Sequence, residues 1–171
     1  MISKPALAWA LFLIISSTFM RQLLNFITGF TSDATVSLLI WCAFACAAAL
    51  AIYISKLRSL KQVAILLIPV AVIIIYATSF NVAVERIHLV KYGILGFLVA
   101  RSNISSASFQ GLLFKVTLVA LVTASLDETV QYFLPYRVGD LRDVWFGVVG
   151  AVWGGIFPPL ISYLTKLPSK P

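Results

Sequence analysis

Charged residues are scarce in this sequence. Of its 171 residues, 13 are Lys or Arg and 6 are Asp or Glu, whereas roughly 25% of the residues in an ordinary globular domain are charged. Hydrophobic residues make up 61% of the chain, and the mean hydropathy is +1.01. A soluble fold of this length cannot bury so much apolar surface, so lipid must surround most of it. The composition therefore excludes a cytosolic enzyme, a secreted disulfide scaffold and a disordered linker.

Several functional motifs are also missing. The two cysteines, Cys42 and Cys46, form a C-x3-C pattern that matches neither a zinc ligand pair nor a redox motif. No basic run is longer than Lys56 to Lys61, and aromatic and basic residues do not alternate, so nucleic-acid binding is not expected. Glu85, His88, Asp127 and Glu128 could supply oxygen and nitrogen ligands to a metal. Because His88 is the single histidine and the sequence contains no H-E-x-x-H, G-x-S-x-G or P-loop motif, we predict no metal and no cofactor.

Long apolar runs dominate what is present. A helix needs about 20 apolar residues to cross a bilayer, and six runs approach that length. They predict an all-α, polytopic transmembrane bundle of about six helices, forming a single domain over residues 1–171. The first run is expected to be a retained helix rather than a signal peptide, because no cleavage site follows it. The runs are Ala6 to Met20, Val36 to Ile54, Val63 to Phe80, Ile87 to Ala100, Leu112 to Leu126 and Val144 to Leu164.

The distribution of charge predicts the orientation. The loop from Lys56 to Lys61 carries three positive charges and no acid, which is typical of a cytoplasmic loop. With six spans, both termini then lie in the cytoplasm, with Lys170 near the C-terminus. The same alternation puts all six acids on the outer side, although they were not used to set it: Asp33, Glu85, Asp127, Glu128, Asp140 and Asp143.

Polar residues gather in two stretches, 81–93 and 127–143, which the predicted topology places on the same outer side. Ionisable groups at membrane depth are costly and are therefore candidates for a functional role. Glu85, His88, Asp127 and Glu128 are candidate catalytic acids and bases. The alternative is an ion-pair network without a ligand, in which Arg137 bridges carboxylates such as those of Glu128 and Asp140.

Three glycines punctuate the last apolar run. Gly147, Gly150 and Gly154 recur at helical spacing, and Gly150 and Gly154 form a small-x-x-x-small pair. Such a face allows another helix to approach closely. We therefore consider a helix–helix partner at this face.

At the two polar stretches the sequence resembles the VanZ-like family of bacterial membrane proteins, over residues 81–155. It departs from the family pattern at Gly147, where asparagine is usual, and at Lys91, where many relatives have an acid. The first half of the pattern is Glu85, His88, Tyr92, Gly93 and Gly96, ending at Arg101. The second half is Asp127, Glu128, Gln131, Pro135, Arg137, Gly139, Asp143, Gly150 and Gly154.

The resemblance implies a multi-pass protein of the bacterial cytoplasmic membrane, surrounded by membrane lipids, with its motif loops on the outer face. Because the founding member is associated with teicoplanin resistance, it also implies a role in lowering susceptibility to such glycopeptides. Arginines would meet a lipid-linked or anionic envelope ligand, since guanidinium matches phosphate oxygens. The predicted ligand-binding residues are Arg86, Tyr92, Gln131, Arg137, Asp140, Arg142 and Asp143.

Two other classes of function remain open at this point. The first is a membrane-embedded hydrolase or transferase acting on a lipid-linked envelope precursor. The second is a non-catalytic assembly partner that uses the glycine face. A small transporter is disfavoured, because no charged residue lies deep in the second, third or sixth run and no inverted repeat is visible.

Overall fold

The computed structural model describes residues 2–55, 57, 59–80, 83–105, 107–137 and 139–167. Within these ranges the chain forms six α-helices, which confirms the predicted all-α fold. Lys56, Arg58, Asn81 and Lys170 lie outside the described residues, and the cytoplasmic placement of the termini stays a prediction. The helices are α1 (Lys4–Thr28), α2 (Asp33–Ser55), α3 (Leu60–Thr78), α4 (Ala83–Asn103), α5 (Phe109–Tyr132) and α6 (Leu141–Leu164).

Four of these helices, α1, α3, α5 and α6, are long and apolar enough to cross a membrane. In α2 the apolar helical segment is shorter, Ala34–Leu50, and α4 carries several ionisable residues in its first half. Large apolar side chains point away from the protein, including Ile15, Ile75 and Phe114, which are 61%, 70% and 70% exposed. Such an exterior is stable when lipid is the solvent.

Serine side chains cap the starts of two helices, α1 and α5. The side chain of Ser3 accepts a hydrogen bond from the backbone N–H of Ala6 at the start of α1, and Ser108 does the same for Gly111 at the start of α5. These side chains satisfy backbone donors that the first helical turn leaves free. α5 continues further than its apolar run suggested, through Glu128 to Tyr132. The acidic pair that the sequence placed in a loop therefore lies in the last turns of α5.

The centre of the fold is a close contact between α4 and α6, with α5 packed against α6 and α1 packed against α5 and α4. Glycine makes this contact possible on both sides. A Cβ at Gly150 would lie 2.6 Å from the carbonyl oxygen of Leu89, and one at Gly154 would overlap the backbone of Gly93. On the facing helix, a Cβ at Gly96 would overlap the backbone of Ala151.

The glycine face thus permits close helix approach, as predicted, but the approaching helix is α4 of the same chain. Gly147, Gly150 and Gly154 are all buried. In the described residues α4 occupies the surface that the missing side chains leave open, and a separate partner at this face stays a prediction.

Candidate functional site

The two polar stretches meet where α4 begins, α5 ends and α6 begins. Side chains from both stretches form a group that we call the polar cluster. It brings together residues that are about 35 to 55 positions apart in sequence, because the first half of α4 packs beside the last turns of α5 and the start of α6. The polar cluster consists of His88, Lys91, Tyr92, Asp127, Glu128, Gln131, Arg137 and Asp143.

Asp127 is the most buried acid of the polar cluster, with no exposed surface. Its Oδ2 accepts hydrogen bonds from the Tyr92 hydroxyl at 2.9 Å and from Lys91 Nζ at 3.3 Å. Its Oδ1 accepts a bond from Gln131 Nε2 at 3.1 Å. A buried carboxylate is stable only when it is paired and hydrogen-bonded, and these three donors meet that requirement.

Glu128 is also buried and shares a donor with Asp127. Its Oε1 accepts a hydrogen bond from Gln131 Nε2 at 2.9 Å, so one amide group bridges the two carboxylates. Its Oε2 accepts a bond from the backbone N–H of Asp140 at 2.9 Å. The second bond ties the end of α5 to the start of α6.

Arg137 does not form the predicted bridge between Glu128 and Asp140. Its Nη2 donates to Gln131 Oε1, and no carboxylate of the described residues comes within 4.0 Å of it. Its Nε is buried and lacks a partner among those residues. The bridge is absent because the backbone of Asp140 already contacts Glu128 and its side chain pairs with Arg142.

His88 is 5% exposed, and neither of its ring nitrogens has a hydrogen-bond partner among the described residues. Its Nδ1 lies 3.8 Å from Asp143 Oδ1, and its ring is stacked against Tyr92 with centroids 6.3 Å apart. In the described part of the chain, no hydrogen bond or ion pair joins His88 to Glu85. Among the described residues, the acid within 4.0 Å of the histidine is therefore Asp143 and not the acid one turn before it.

Two predicted ligand-binding arginines lie away from the polar cluster. Arg86 donates to the carbonyl oxygens of Ala77 and Phe80 and to Ser37 Oγ, at 2.8 to 3.1 Å. All three of its guanidinium nitrogens thus connect α4 to the end of α3 and to α2. This side chain therefore has a structural role, and its role in ligand binding stays a prediction.

Arg142 lies at the exposed edge of the site, where it pairs with Asp140 at 2.7 Å. The guanidinium holds the pKa of Asp140 below its usual range through this hydrogen bond. Asp140 also caps α6 by accepting a hydrogen bond from the backbone N–H of Arg142. This pair therefore fixes the start of α6, and its 72% exposed arginine side chain faces out.

A cavity of about 350 Å³ opens beside the polar cluster, between α1, α2 and α4. Basic side chains from three parts of the chain line it, namely Arg21, Lys91 and Arg137, together with His88. No acid lines it among the described residues. The rest of its wall is mostly apolar: Met20, Leu23, Leu24, Ile27, Val36, Leu39, Ile40, Ala43, Ile87 and Val90.

Sequence reasoning did not select Arg21 or Lys91 as site residues. For Arg21 the available signal was a lone charge within an apolar helical run, which is expensive unless it faces a partner or a ligand. For Lys91 it was the departure from the family pattern, in which many relatives have an acid at this position. A second cavity of about 380 Å³ lies between the end of α5 and the start of α6. Glu128 and Asp140 line it, and neither residue lines the first cavity.

The family model described as VanZ/LLP1 matches residues 6–162. The chain belongs to the VanZ/LLP1 family. The match includes the first three helices, which the motifs over residues 81–155 did not reach. No curated protein and no solved structure matches the chain. With its four long apolar helices, this VanZ/LLP1 chain is a multi-pass membrane protein.

One further geometric feature of this VanZ/LLP1 protein concerns cations. His88, Asp127 and Glu128 each offer one ligand atom, and these three atoms all lie within 4.8 Å of one another. All three residues are buried. The sequence argued against a metal because it contains a single histidine, and it could not show that the fold brings that histidine to the acidic pair.

Proposed function

We propose that this VanZ/LLP1 protein binds the anionic group of a lipid-linked ligand of the bacterial cell envelope and thereby lowers susceptibility to teicoplanin-type glycopeptides. Its site is the cavity beside the polar cluster, on the outer side of the cytoplasmic membrane. The supporting observation is the composition of the cavity wall, in which Arg21, Lys91 and Arg137 meet an otherwise apolar surface. Such a wall suits a molecule with an anionic head and a hydrocarbon chain.

The basic side chains provide the recognition of the head group. Arg137 has a buried Nε without a partner among the described residues, and leaving a buried donor unsatisfied costs about 1–3 kcal/mol. A phosphate oxygen would accept this bond and remove that cost. Guanidinium also offers two parallel donors to phosphate, which makes arginine a specific phosphate ligand.

The apolar wall provides a place for the lipid chain. Residues of both α1 and α2 line the cavity, for example Leu24 and Leu39. Both helices pack on α4, and the cavity lies between them. A lipid chain would enter from the bilayer between α1 and α2, with its head group directed towards the polar cluster.

The test compares arginines inside and outside the cavity. Wild type, Arg21→Gln, Arg137→Gln and Arg101→Gln are expressed in a susceptible Gram-positive host, and teicoplanin sensitivity and membrane abundance are measured in the same cultures. Arg101→Gln is the matched control, because it removes the same charge from an exposed position at the far end of α4. We expect wild type and Arg101→Gln to protect, and both cavity variants to stay abundant but lose protection.

A binding measurement separates the two parts of the proposal. The purified protein is titrated in nanodiscs with a polyprenyl phosphate as the probe. Loss of a hydrogen bond to a charged group costs about 1.5–3 kcal/mol, so Arg137→Gln should weaken binding by roughly 10- to 100-fold. Equal binding by wild type and both cavity variants would refute the site. Binding without any protection by wild type would refute the role in teicoplanin susceptibility.

The second candidate is a membrane-embedded hydrolase or transferase acting on the same class of lipid. It is favoured by His88, which lines the cavity with both ring nitrogens free of hydrogen bonds to the described residues and faces Asp143. A histidine placed in this way can transfer a proton to or from a bound substrate. His88→Gln distinguishes the candidates, because it abolishes turnover if the protein is an enzyme and preserves protection if binding alone is enough.

A further inference from the structure

The side chains of His88, Asp127 and Glu128 have the composition and spacing of a metal site. One imidazole nitrogen and two carboxylate oxygens lie within 4.8 Å of one another. Metal–ligand bonds to these atoms are about 2.0–2.2 Å long. Shifts of about 0.7 Å or less would bring all three atoms to that distance from one ion. His88 lies on α4 and the two acids lie on α5.

His88 provides an independent indication of a ligand. The residue is 5% exposed, and neither nitrogen has a hydrogen-bond partner among the described residues. A buried imidazole normally forms at least one hydrogen bond, because leaving its polar atoms unpaired is costly. A metal ion would supply the missing partner for one of its nitrogens.

The charge of the polar cluster points the same way. It contains three acids, Asp127, Glu128 and Asp143, and two bases, Lys91 and Arg137. The acids therefore outnumber the bases by one, and two of the acids, Asp127 and Glu128, are buried, where an uncompensated charge is expensive. A bound cation offsets that excess.

Neighbouring groups hold the carboxylates in place in the way that outer-shell residues do in metal sites. Gln131 Nε2 donates to both acids, and the Tyr92 hydroxyl donates to Asp127. Such hydrogen bonds orient metal ligands and are worth about 10- to 100-fold in metal affinity. Lys91 is the competing cation, since its Nζ lies 3.3 Å from Asp127 Oδ2. Because Lys91 also lines the cavity, its ammonium has space to turn away.

We propose that His88, Asp127 and Glu128 form a binding site for a divalent transition-metal cation, beside the lipid cavity. A set of one nitrogen and two oxygens suits Zn²⁺, Mn²⁺ or Fe²⁺ better than Ca²⁺, which takes six to eight oxygen ligands. The site does not depend on the proposed lipid-binding function. Its test uses neither lipid ligand nor antibiotic, so either proposal can fail without the other.

The experiment measures metal binding by the purified full chain in detergent after treatment with a chelator. Zn²⁺ is titrated by calorimetry, and Co²⁺ is added to record visible absorption. The background is Cys42→Ser/Cys46→Ser, because both thiols are exposed and could bind these metals by themselves. In this background we expect one ion per chain and a Co²⁺ spectrum without thiolate bands.

Three substitutions in that background test the ligands and the competitor. His88→Gln and Asp127→Asn each remove one ligand with little change of volume, and each should weaken binding by about 100-fold. Lys91→Met removes the competing charge and should tighten binding about tenfold, because a nearby positive charge opposes a second cation. Lys91→Met keeps all three ligands, so tighter metal binding by this variant could not be explained by a loss of folding.

Several results would overturn the proposal. The first is failure of the double cysteine variant to bind either metal at millimolar concentration. The second is binding that His88→Gln and Asp127→Asn leave unchanged. The third is binding that Lys91→Met weakens, which would mean that the ion lies elsewhere.

Discussion

The contact between α4 and α6 makes a quantitative prediction for Gly150→Ala. A methyl group at this position would lie 2.6 Å from the carbonyl oxygen and 2.8 Å from the Cα of Leu89. Real Cβ atoms essentially never come closer than 3.0 Å to such neighbours. Both obstructing atoms belong to the backbone, so no side-chain rotation relieves the overlap. The two helices must separate locally by about 0.4 Å or more.

The cost follows from the packing that this separation disturbs. Inserting a methylene into a well-packed core costs about 1–3 kcal/mol, and a backbone obstruction favours the upper end. Replacing glycine by alanine in a helix returns up to about 1 kcal/mol. The net loss in the free energy of unfolding is then about 2 kcal/mol. For a chain of this size that corresponds to a fall in Tm of roughly 4–8 °C.

The measurement is thermal unfolding of the purified protein in detergent. The matched control is Gly111→Ala, which adds the same methyl group at an exposed position in the first turn of α5, 3.2 Å from the Ser108 hydroxyl. We expect the control to match or slightly exceed wild type. Gly154→Ala should be less stable than Gly150→Ala, because its overlap with Gly93 is more severe. Wild-type stability in both interface variants would show that α4 and α6 are not in close contact.

Three further predictions concern the polar residues. Arg86→Met removes three hydrogen bonds that connect α4 to α2 and to the end of α3, so it should lower the Tm in detergent, because the carbonyls of Ala77 and Phe80 each lose a donor. Tyr92→Phe removes one donor from the buried carboxylate of Asp127 and should cost about 1–3 kcal/mol of unfolding free energy in denaturant titrations. Asp140→Asn should change stability little at pH 7, because its partner Arg142 is exposed. Since the pKa of Asp140 is lowered in the folded protein, its small contribution should be present above the usual aspartate range and disappear only as the pH falls below it. Comparing Tm in wild type and Asp140→Asn between pH 7 and pH 3 checks this sign.

The candidate site was only partly predictable from local sequence. The sequence predicted that the two polar stretches lie on the same side of the membrane, and the structure brings their side chains into contact. Which side chains pair within the cluster depended on the packing of α4, α5 and α6. Arg137 was expected to contact carboxylates, but it donates to the amide oxygen of Gln131. The amide nitrogen of Gln131 donates to both Asp127 and Glu128. The backbone N–H of Asp140 donates to Glu128, where the sequence had predicted a contact from Arg137.

The basic residues that line the cavity were also not predictable from local sequence. Arg21 and Lys91 are separated by 70 positions and lie on different helices, and neither belongs to a shared motif. They line one space because α1 and α2 both pack on α4 with the cavity between them. The periodicity of residues within a single helix does not predict how α1 and α2 pack on α4.

By itself, the sequence determined that lipid surrounds most of the protein, that the chain is helical, and which family motifs it carries. Long apolar runs with few charges specify membrane helices, because an unpaired backbone is too costly in lipid, and glycine spacing on α6 specifies a face open to close approach. The tertiary structure decided what meets that face, how the arginines are used, and that the single histidine lies beside two buried acids. Those outcomes depend on how whole helices rotate against one another, and that rotation is set by packing over the entire bundle instead of by any local pattern.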